Sequence, residues 1–172
     1  GANLFYNVAL SGRSGEGAVA NLLVSQSFDA FWRATNRQTL YTHLSFDAAK
    51  NLDPQNQLLL GGDTGLRGYP TRQFEGDRRL LLQVEHRYFG DWELFHLVRI
   101  GLAGFLDVGN AWDAVDGQRF SDLHPDVGVG IRFAVNRSSI ANISRLDFAY
   151  AVDAEETDSP RFQVLFGTAF RF

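Results

Sequence analysis

The sequence predicts an all-β protein whose antiparallel strands form a transmembrane β-barrel, and three observations predict this fold. Polar and apolar residues alternate in long runs, several of at least ten residues, and a tilted membrane strand needs about 9–11. One side of each run is rich in Leu, Val and Phe, whereas the other mixes charged residues with Gly and Ala, as lipid and a wet interior require. Aromatic residues also collect near the ends of the runs, as they do at membrane interfaces. A water-soluble β-sandwich would alternate too and is the alternative.

Eight alternating runs follow one another, separated by polar loops. In chain order, their apolar sides carry Leu4, Tyr6, Val8 and Leu10; Leu22, Val24, Phe28 and Trp32; Leu40, Thr42, Leu44 and Phe46; Leu80, Leu82, Val84, His86 and Tyr88; Val98, Ile100, Leu102, Leu106 and Val108; Val127, Val129, Ile131 and Phe133; Leu146, Phe148, Tyr150 and Val152; and Phe162, Val164, Phe166, Phe170 and Phe172. The longest connection spans residues 61–77 and is rich in glycine. No linker divides the runs, so residues 1–172 are predicted to form one barrel domain.

Composition excludes several other classes of protein. The chain has no Cys, which excludes disulfides and thiolate metal sites, and its net charge of −4 provides no basic surface for nucleic acid. No apolar run approaches the roughly 20 residues of a membrane helix. The chain begins without Met and without a secretion signal, so we expect it to be a processed or truncated piece of a longer protein.

The sequence contains no motif of an enzyme. It lacks a G-x-S-x-G elbow, a P-loop and an H-E-x-x-H helix. The four histidines are scattered without close spacing, so neither a metal site nor a cofactor is expected. Acidic loop residues such as Asp113 and Glu155 are expected to be solvated.

Three segments resemble one known family. The segments LLGGDTGLRGYP, GDRRLLLQVEHRYF and GFLDVGNAW are similar to the C-terminal barrel region of the BamA/TamA-type outer-membrane proteins, also called bacterial surface antigens. The resemblance covers the chain from about residue 3 to 172 and matches the last eight strands of that family's sixteen-stranded barrel. It implies a location in the bacterial outer membrane, among lipid and lipopolysaccharide, and a role in inserting or translocating client outer-membrane or secreted proteins.

The resemblance also implies a contact between the long loop and the barrel wall. The loop motif of the family corresponds to Arg67, Gly68 and Tyr69, and its arginine contacts an acidic residue on the wall. The matching wall residues are Glu85, Phe105, Asp107 and Gly109.

Counting along the strands independently places Glu85 and Asp107 on the polar face. A buried guanidinium needs a paired carboxylate, so either acid is a suitable partner for Arg67. Tyr69 is expected to pack against Phe105 or Gly109. The alternative is a surface loop with a solvated arginine.

The end of the chain, FQVLFGTAFRF, matches the signal that the barrel-assembly machinery reads in many outer-membrane proteins. The residues assigned to this signal are Phe166, Phe170 and Phe172. A last lipid-facing strand would show the same pattern, and both interpretations can hold.

A chain with eight strands is compatible with more than one way of closing the barrel. An eight-stranded barrel is filled by its own side chains and would not admit the long loop. We therefore expect a sixteen-stranded barrel, completed by the same longer chain or by a second copy, with an eight-stranded monomer as the rival. Two other functions also remain: an anchor barrel for a preceding domain such as a patatin-like lipase, and a small structural barrel or pore.

Overall fold

The computed structural model describes residues 1–15, 18–53, 56–94, 97–115, 122–135, 142–153 and 161–170. Most of them lie in strands. The strands are β1 (Ala2–Gly15), β2 (Ala18–Arg33), β3 (Gln38–Lys50), β4 (Leu58–Leu60), β5 (Phe74–Gly76), β6 (Arg78–Leu94), β7 (Val98–Trp112), β8 (His124–Val135), β9 (Asn142–Ala151) and β10 (Phe162–Phe170).

Eight of these strands form a single antiparallel sheet in the order β1-β2-β3-β6-β7-β8-β9-β10. The eight long strands are those that the alternating runs predict, and the all-β class is confirmed. They are 9 to 17 residues long, because strict alternation keeps apolar residues on one face and polar residues on the other over the whole run. In the part of the chain described above, no helix is long and apolar enough to cross a membrane.

The sheet is open rather than closed on itself. Among the described residues, β1 pairs only with β2, and β10 pairs only with β9. The sequence therefore predicted the strands and their antiparallel order, but the closed barrel is not present in this chain. In particular, the rival expectation that the eight strands close alone is wrong for this structure.

The two faces of the sheet differ in polarity, and the apolar face is the exposed one. On this apolar face the exposed fractions are 48% for Leu102, 62% for Val129 and 55% for Val164. The opposite face carries charged residues that are almost completely buried, including Glu85 and Asp107. We call it the loop face, because the long connection between β3 and β6 covers it.

The loop of residues 61–77 is anchored to the sheet at both of its ends. Strands β4 and β5 pair with each other and form a small hairpin stem, which the sequence did not predict. The guanidinium of Arg79 donates a hydrogen bond to the carbonyl oxygen of Leu59, at 3.1 Å. The backbone N–H of Asp77 donates to the carbonyl oxygen of Trp112, also at 3.1 Å.

An apolar cluster lies between the loop and the loop face. Its members come from the stem and loop and from strands β6, β7 and β9, and Phe74 packs against them: Leu60, Leu66, Tyr69, Leu81, Ala111 and Ala151. Leu60 of β4 and Leu66 of the loop are completely buried. Burial of these side chains holds the loop on the sheet and positions the motif at its tip.

Candidate functional site

Glycines allow the tip of the loop to lie directly on the sheet. Gly65 has a φ of +121°, which side chains rarely tolerate, and its carbonyl oxygen accepts a hydrogen bond from the side-chain amide of Gln83, at 2.7 Å. The N–H of Gly68 donates to Oδ2 of Asp126, at 2.8 Å. A Cβ on Gly68 would lie 2.5 Å from the Cβ of Asp126. Only glycine fits at this point of contact.

Arg67 lies between the two glycines and is 1% exposed. Its Nε and Nη2 donate to Oδ2 and Oδ1 of Asp107, at 2.6 and 2.8 Å. Its Nη1 donates to Glu85, at 2.7 Å. A longer bond of 3.3 Å joins the same Nη1 to Asp147. The arginine thus contacts three carboxylates of the sheet, and its pair with Asp107 has the two-point geometry that a planar guanidinium favours.

The guanidinium of Arg67 also covers the ring of Phe105, with its Cζ 3.5 Å from the ring centroid. This is the geometry of a cation–π interaction. Gly128 lies opposite Phe105 on the neighbouring strand, and a Cβ there would lie 2.3 Å from the ring. Gly128 therefore makes room for the ring beneath the arginine.

A second buried arginine, Arg132 of β8, contacts two of the same acids from within the sheet. Its Nε and Nη2 donate to the two carboxylate oxygens of Glu85, at 2.9 and 2.7 Å, and its Nη1 donates to Asp147, at 2.5 Å. Gly130 leaves space for this pair, because a Cβ there would lie 2.1 Å from Asp147. Glu85 and Asp147 are thus paired within the sheet independently of the loop.

Two further arginines complete the network. Arg87 donates from Nε to Glu85, at 2.6 Å, and Nη1 of Arg145 lies 3.2 Å from Asp147. With them, the network contains four arginines, which are Arg67, Arg87, Arg132 and Arg145, and four acids, which are Glu85, Asp107, Asp126 and Asp147. If all are ionised, the four positive and four negative charges balance, and close partners offset the desolvation penalty of Glu85, Asp107 and Asp147.

Asp126 is the least satisfied member of this network. It lies directly opposite Asp107 in the register of β7 and β8. Its Oδ2 accepts the N–H of Gly68, whereas its Oδ1 has no hydrogen-bond partner among the described residues. The docked loop therefore supplies the hydrogen bond that Asp126 receives.

Tyr69 anchors the loop at a different place from the one that the sequence predicted. Its single hydroxyl hydrogen is shared between the carbonyl oxygen of Pro125, at 3.1 Å, and the carboxylate of Asp153. Its ring meets Phe74 and His124 edge to face. The expectation that Tyr69 packs against Phe105 or Gly109 is replaced by these contacts, because Arg67 covers Phe105 and Leu60 lies next to Gly109.

Burial and neighbouring acids shift the pKa of both loop residues. Burial alone lowers the pKa of Arg67, but its hydrogen bonds and charge interactions with Asp107, Glu85 and Asp147 raise it above the usual value. Burial and the hydrogen bond to Asp153 raise the pKa of Tyr69 well above its usual range. At neutral pH, Arg67 is therefore a permanent cation and Tyr69 a neutral donor.

The structure brings together most of the residues that the sequence singled out. Arg67 contacts Glu85, Asp107 and Phe105 directly, and Gly68 lies beside them. Gly109 lies against Leu60 at the edge of this contact.

The residues of the terminal aromatic pattern lie elsewhere. Phe166 is 77% exposed on the apolar face. Phe170 ends β10, and Phe172 lies outside the described residues.

Sequence reasoning missed Asp126, Arg132 and Asp147 as members of the site. The available signal was the same strand alternation that placed Glu85 and Asp107, since all of them point to the loop face. Within the described ranges, no group of three or more metal-ligating side chains is present. No protein-family model and no curated protein matches the chain.

Proposed function

We propose that this chain forms the membrane-embedded part of an outer-membrane β-barrel that inserts or translocates proteins, with the loop of residues 61–77 held inside the barrel by Arg67. One observation carries the proposal: one face of the sheet exposes apolar side chains such as Leu102 and Val129, whereas the opposite face buries charged ones such as Glu85 and Asp107. In water this arrangement would leave an unusually large apolar surface. In a bilayer the same arrangement places Leu, Val and Phe against lipid.

The length and ends of the strands support a membrane location. All eight strands of the large sheet are long enough, or nearly so, for a tilted crossing of about 9–11 residues. Large aromatic residues are exposed near both ends of the sheet. At one end, Trp32 and Trp92 are 56% and 58% exposed, and at the other, Tyr150 and Phe162 are 43% and 56% exposed. Such rings favour the interfaces between lipid and water.

The buried ion pairs give the loop its proposed role. A loop held by Arg67, Gly68 and Tyr69 blocks part of the loop face, and this face becomes the interior when the barrel is complete. Because Glu85 and Asp147 are already paired with Arg132, the wall retains its structure when the loop leaves. The loop therefore acts as a removable plug that stabilises the barrel and gates its interior.

The open edges of the sheet require partners in lipid. Each unpaired backbone group of β1 and β10 would cost several kcal/mol in the hydrocarbon region. We propose that further strands complete a sixteen-stranded barrel and that they come from a second copy or from a longer polypeptide. Single cysteines at Val8 and Val164 test the first source, because the chain has no cysteine of its own. If a second copy supplies the strands, a disulfide forms between two copies, and a disulfide confined to one chain would exclude the two-copy barrel.

The decisive experiment is reconstitution in vesicles of outer-membrane lipid. We expect a heat-modifiable, protease-resistant form that accelerates the insertion of an unfolded client barrel, and Arg67→Ala is expected to reduce that acceleration. Protein that remains soluble without lipid would contradict the membrane location. Membrane insertion without any effect on a client would favour the anchor or the structural barrel, and steady conductance in planar bilayers would favour the pore.

A further inference from the structure

We propose that a cavity lined by arginines, on the loop face beyond Arg87, binds a phosphate group. This site lies next to the ion-pair network, on the side away from the loop of residues 61–77. It rests on its own geometry and does not depend on the proposed role in protein insertion.

The cavity has a volume of about 220 Å³. Its polar lining consists of Arg33, Asn36, Arg37, Thr39, Arg87 and Arg99, and no lining residue is acidic. Three of these side chains follow one another across neighbouring strands, since Arg33 pairs in register with Thr39 and Thr39 pairs with Arg87. The sheet thus brings the side chains of several arginines to the same cavity.

Arg37 and Arg87 already contact acids, whereas Arg33 and Arg99 are less engaged. Asp91 contacts Arg37 at 2.5 Å, and Glu85 accepts from Arg87 at 2.6 Å but also serves two other arginines. Glu93 approaches Arg99 only to 4.0 Å. In the described part of the chain, the Arg33 guanidinium has no hydrogen bond or ion pair. Arg33 and Arg99 therefore keep donors for a ligand.

A phosphate group is the ligand that this chemistry favours. A guanidinium binds phosphate oxygens in the same two-point manner as it binds a carboxylate, and several arginines converging on one point require a concentrated negative charge. Asn36 and Thr39 add neutral donors at the rim. The volume exceeds that of a single water molecule, about 30 Å³, several times over. It therefore admits a phosphate that carries a substituent, either a soluble pyrophosphate or the headgroup of an anionic lipid.

Calorimetric titration of the full chain in a non-ionic detergent at low salt tests the site. The two probes are inorganic pyrophosphate and a short-chain phosphatidic acid. We expect one bound probe per chain, and Arg33→Gln or Arg99→Gln should weaken binding about tenfold, because each removes a charged donor. Neither residue belongs to the buried network, so both variants should fold.

Arg13→Gln is the matched control, because Arg13 is an exposed arginine of β1 outside the cavity. Binding of both probes assigns the site to a free phosphate group, and binding of the phosphatidic acid alone assigns it to a lipid headgroup. Absence of binding for both probes overturns the proposal. An equal loss of affinity in Arg13→Gln also overturns it, because binding would then reflect only the overall charge.

Discussion

Arg67 and Asp107, forty positions apart in the chain, form a two-point ion pair in which Nε and Nη2 each contact a different carboxylate oxygen. Both side chains are essentially inaccessible to solvent. This pair joins the loop to the sheet, and while the loop is docked neither charge can be hydrated if its partner is removed by substitution. The stability of the docked loop should therefore depend on it.

Arg67→Ala is expected to lower the free energy of unfolding by about 3–5 kcal/mol, the usual cost of removing one partner from a buried ion pair. Arg67→Lys should recover only part of this loss, because an ammonium group cannot reproduce the planar fork. Urea unfolding in lipid vesicles, followed by tryptophan fluorescence, measures both variants. Arg13→Ala is the control, and an equal loss of unfolding free energy there would show that the loss does not depend on the buried ion pair.

Arg67→Met and Arg132→Met should not have additive effects on stability. Both arginines contact Glu85 and Asp147, so the second substitution removes a cation from acids that the first has already disturbed. A double-mutant cycle should give a coupling energy of about 0.5–3 kcal/mol. Additive effects would mean that the loop and the wall are stabilised separately.

Gly68→Ala should prevent the loop from docking although Arg67 remains intact. The added methyl group would lie 2.5 Å from the Cβ of Asp126 and 2.9 Å from the backbone nitrogen of Ala151. We expect protease cleavage within residues 61–77 to accelerate strongly. Gly104→Ala is the matched control, because a Cβ there meets nothing within 4 Å. Similar cleavage rates in the two variants would contradict the close contact at Gly68.

Tyr69→Phe should loosen the loop without abolishing its docking. The substitution removes the hydroxyl that bonds to Pro125 and Asp153 but keeps the ring against Phe74 and His124. Hydrogen exchange at the amide of Gly68 should accelerate by roughly tenfold, in line with about 0.5–1.5 kcal/mol for one hydrogen bond. Unchanged protection would mean that the ring alone fixes this part of the loop.

Leu106→Lys should distinguish a lipid environment from water. Leu106 is 40% exposed on the apolar face, so a soluble protein would tolerate the change. In a bilayer, a lysine on the lipid face near the midplane costs about 2–4 kcal/mol. Unfolding in vesicles measures the difference, and Val115→Lys at a position that is 92% exposed outside the sheet is the control. Equal stability of the two variants would contradict a membrane location.

Alternation predicted the eight long strands because the physical constraint on a strand is local. The polarity of each residue indicates which face of the sheet it occupies, and the pattern recurs every two residues along the strand. The same counting placed Glu85 and Asp107 on the face that the loop covers. It could not pair Arg132 with Glu85, since that contact depends on the register and the spacing across strands β6, β7 and β8.

The path of the loop could not be predicted from local sequence patterns for the same reason. The contacts of Tyr69 come from Phe74 on β5, His124 on β8 and Asp153 after β9. These segments meet only after the sheet has formed. The hairpin stem of β4 and β5 was also missed, because three residues are too few to show alternation.

The direction of the two edge strands constrains any closed assembly. Eight antiparallel strands leave β1 and β10 running in opposite senses. If the finished barrel is antiparallel throughout, strands inserted between these edges must be even in number. A second copy adds eight and meets this requirement, whereas any single extra strand would force a parallel pair into the ring. Engineered versions of this sheet should therefore gain or lose whole hairpins and never one strand.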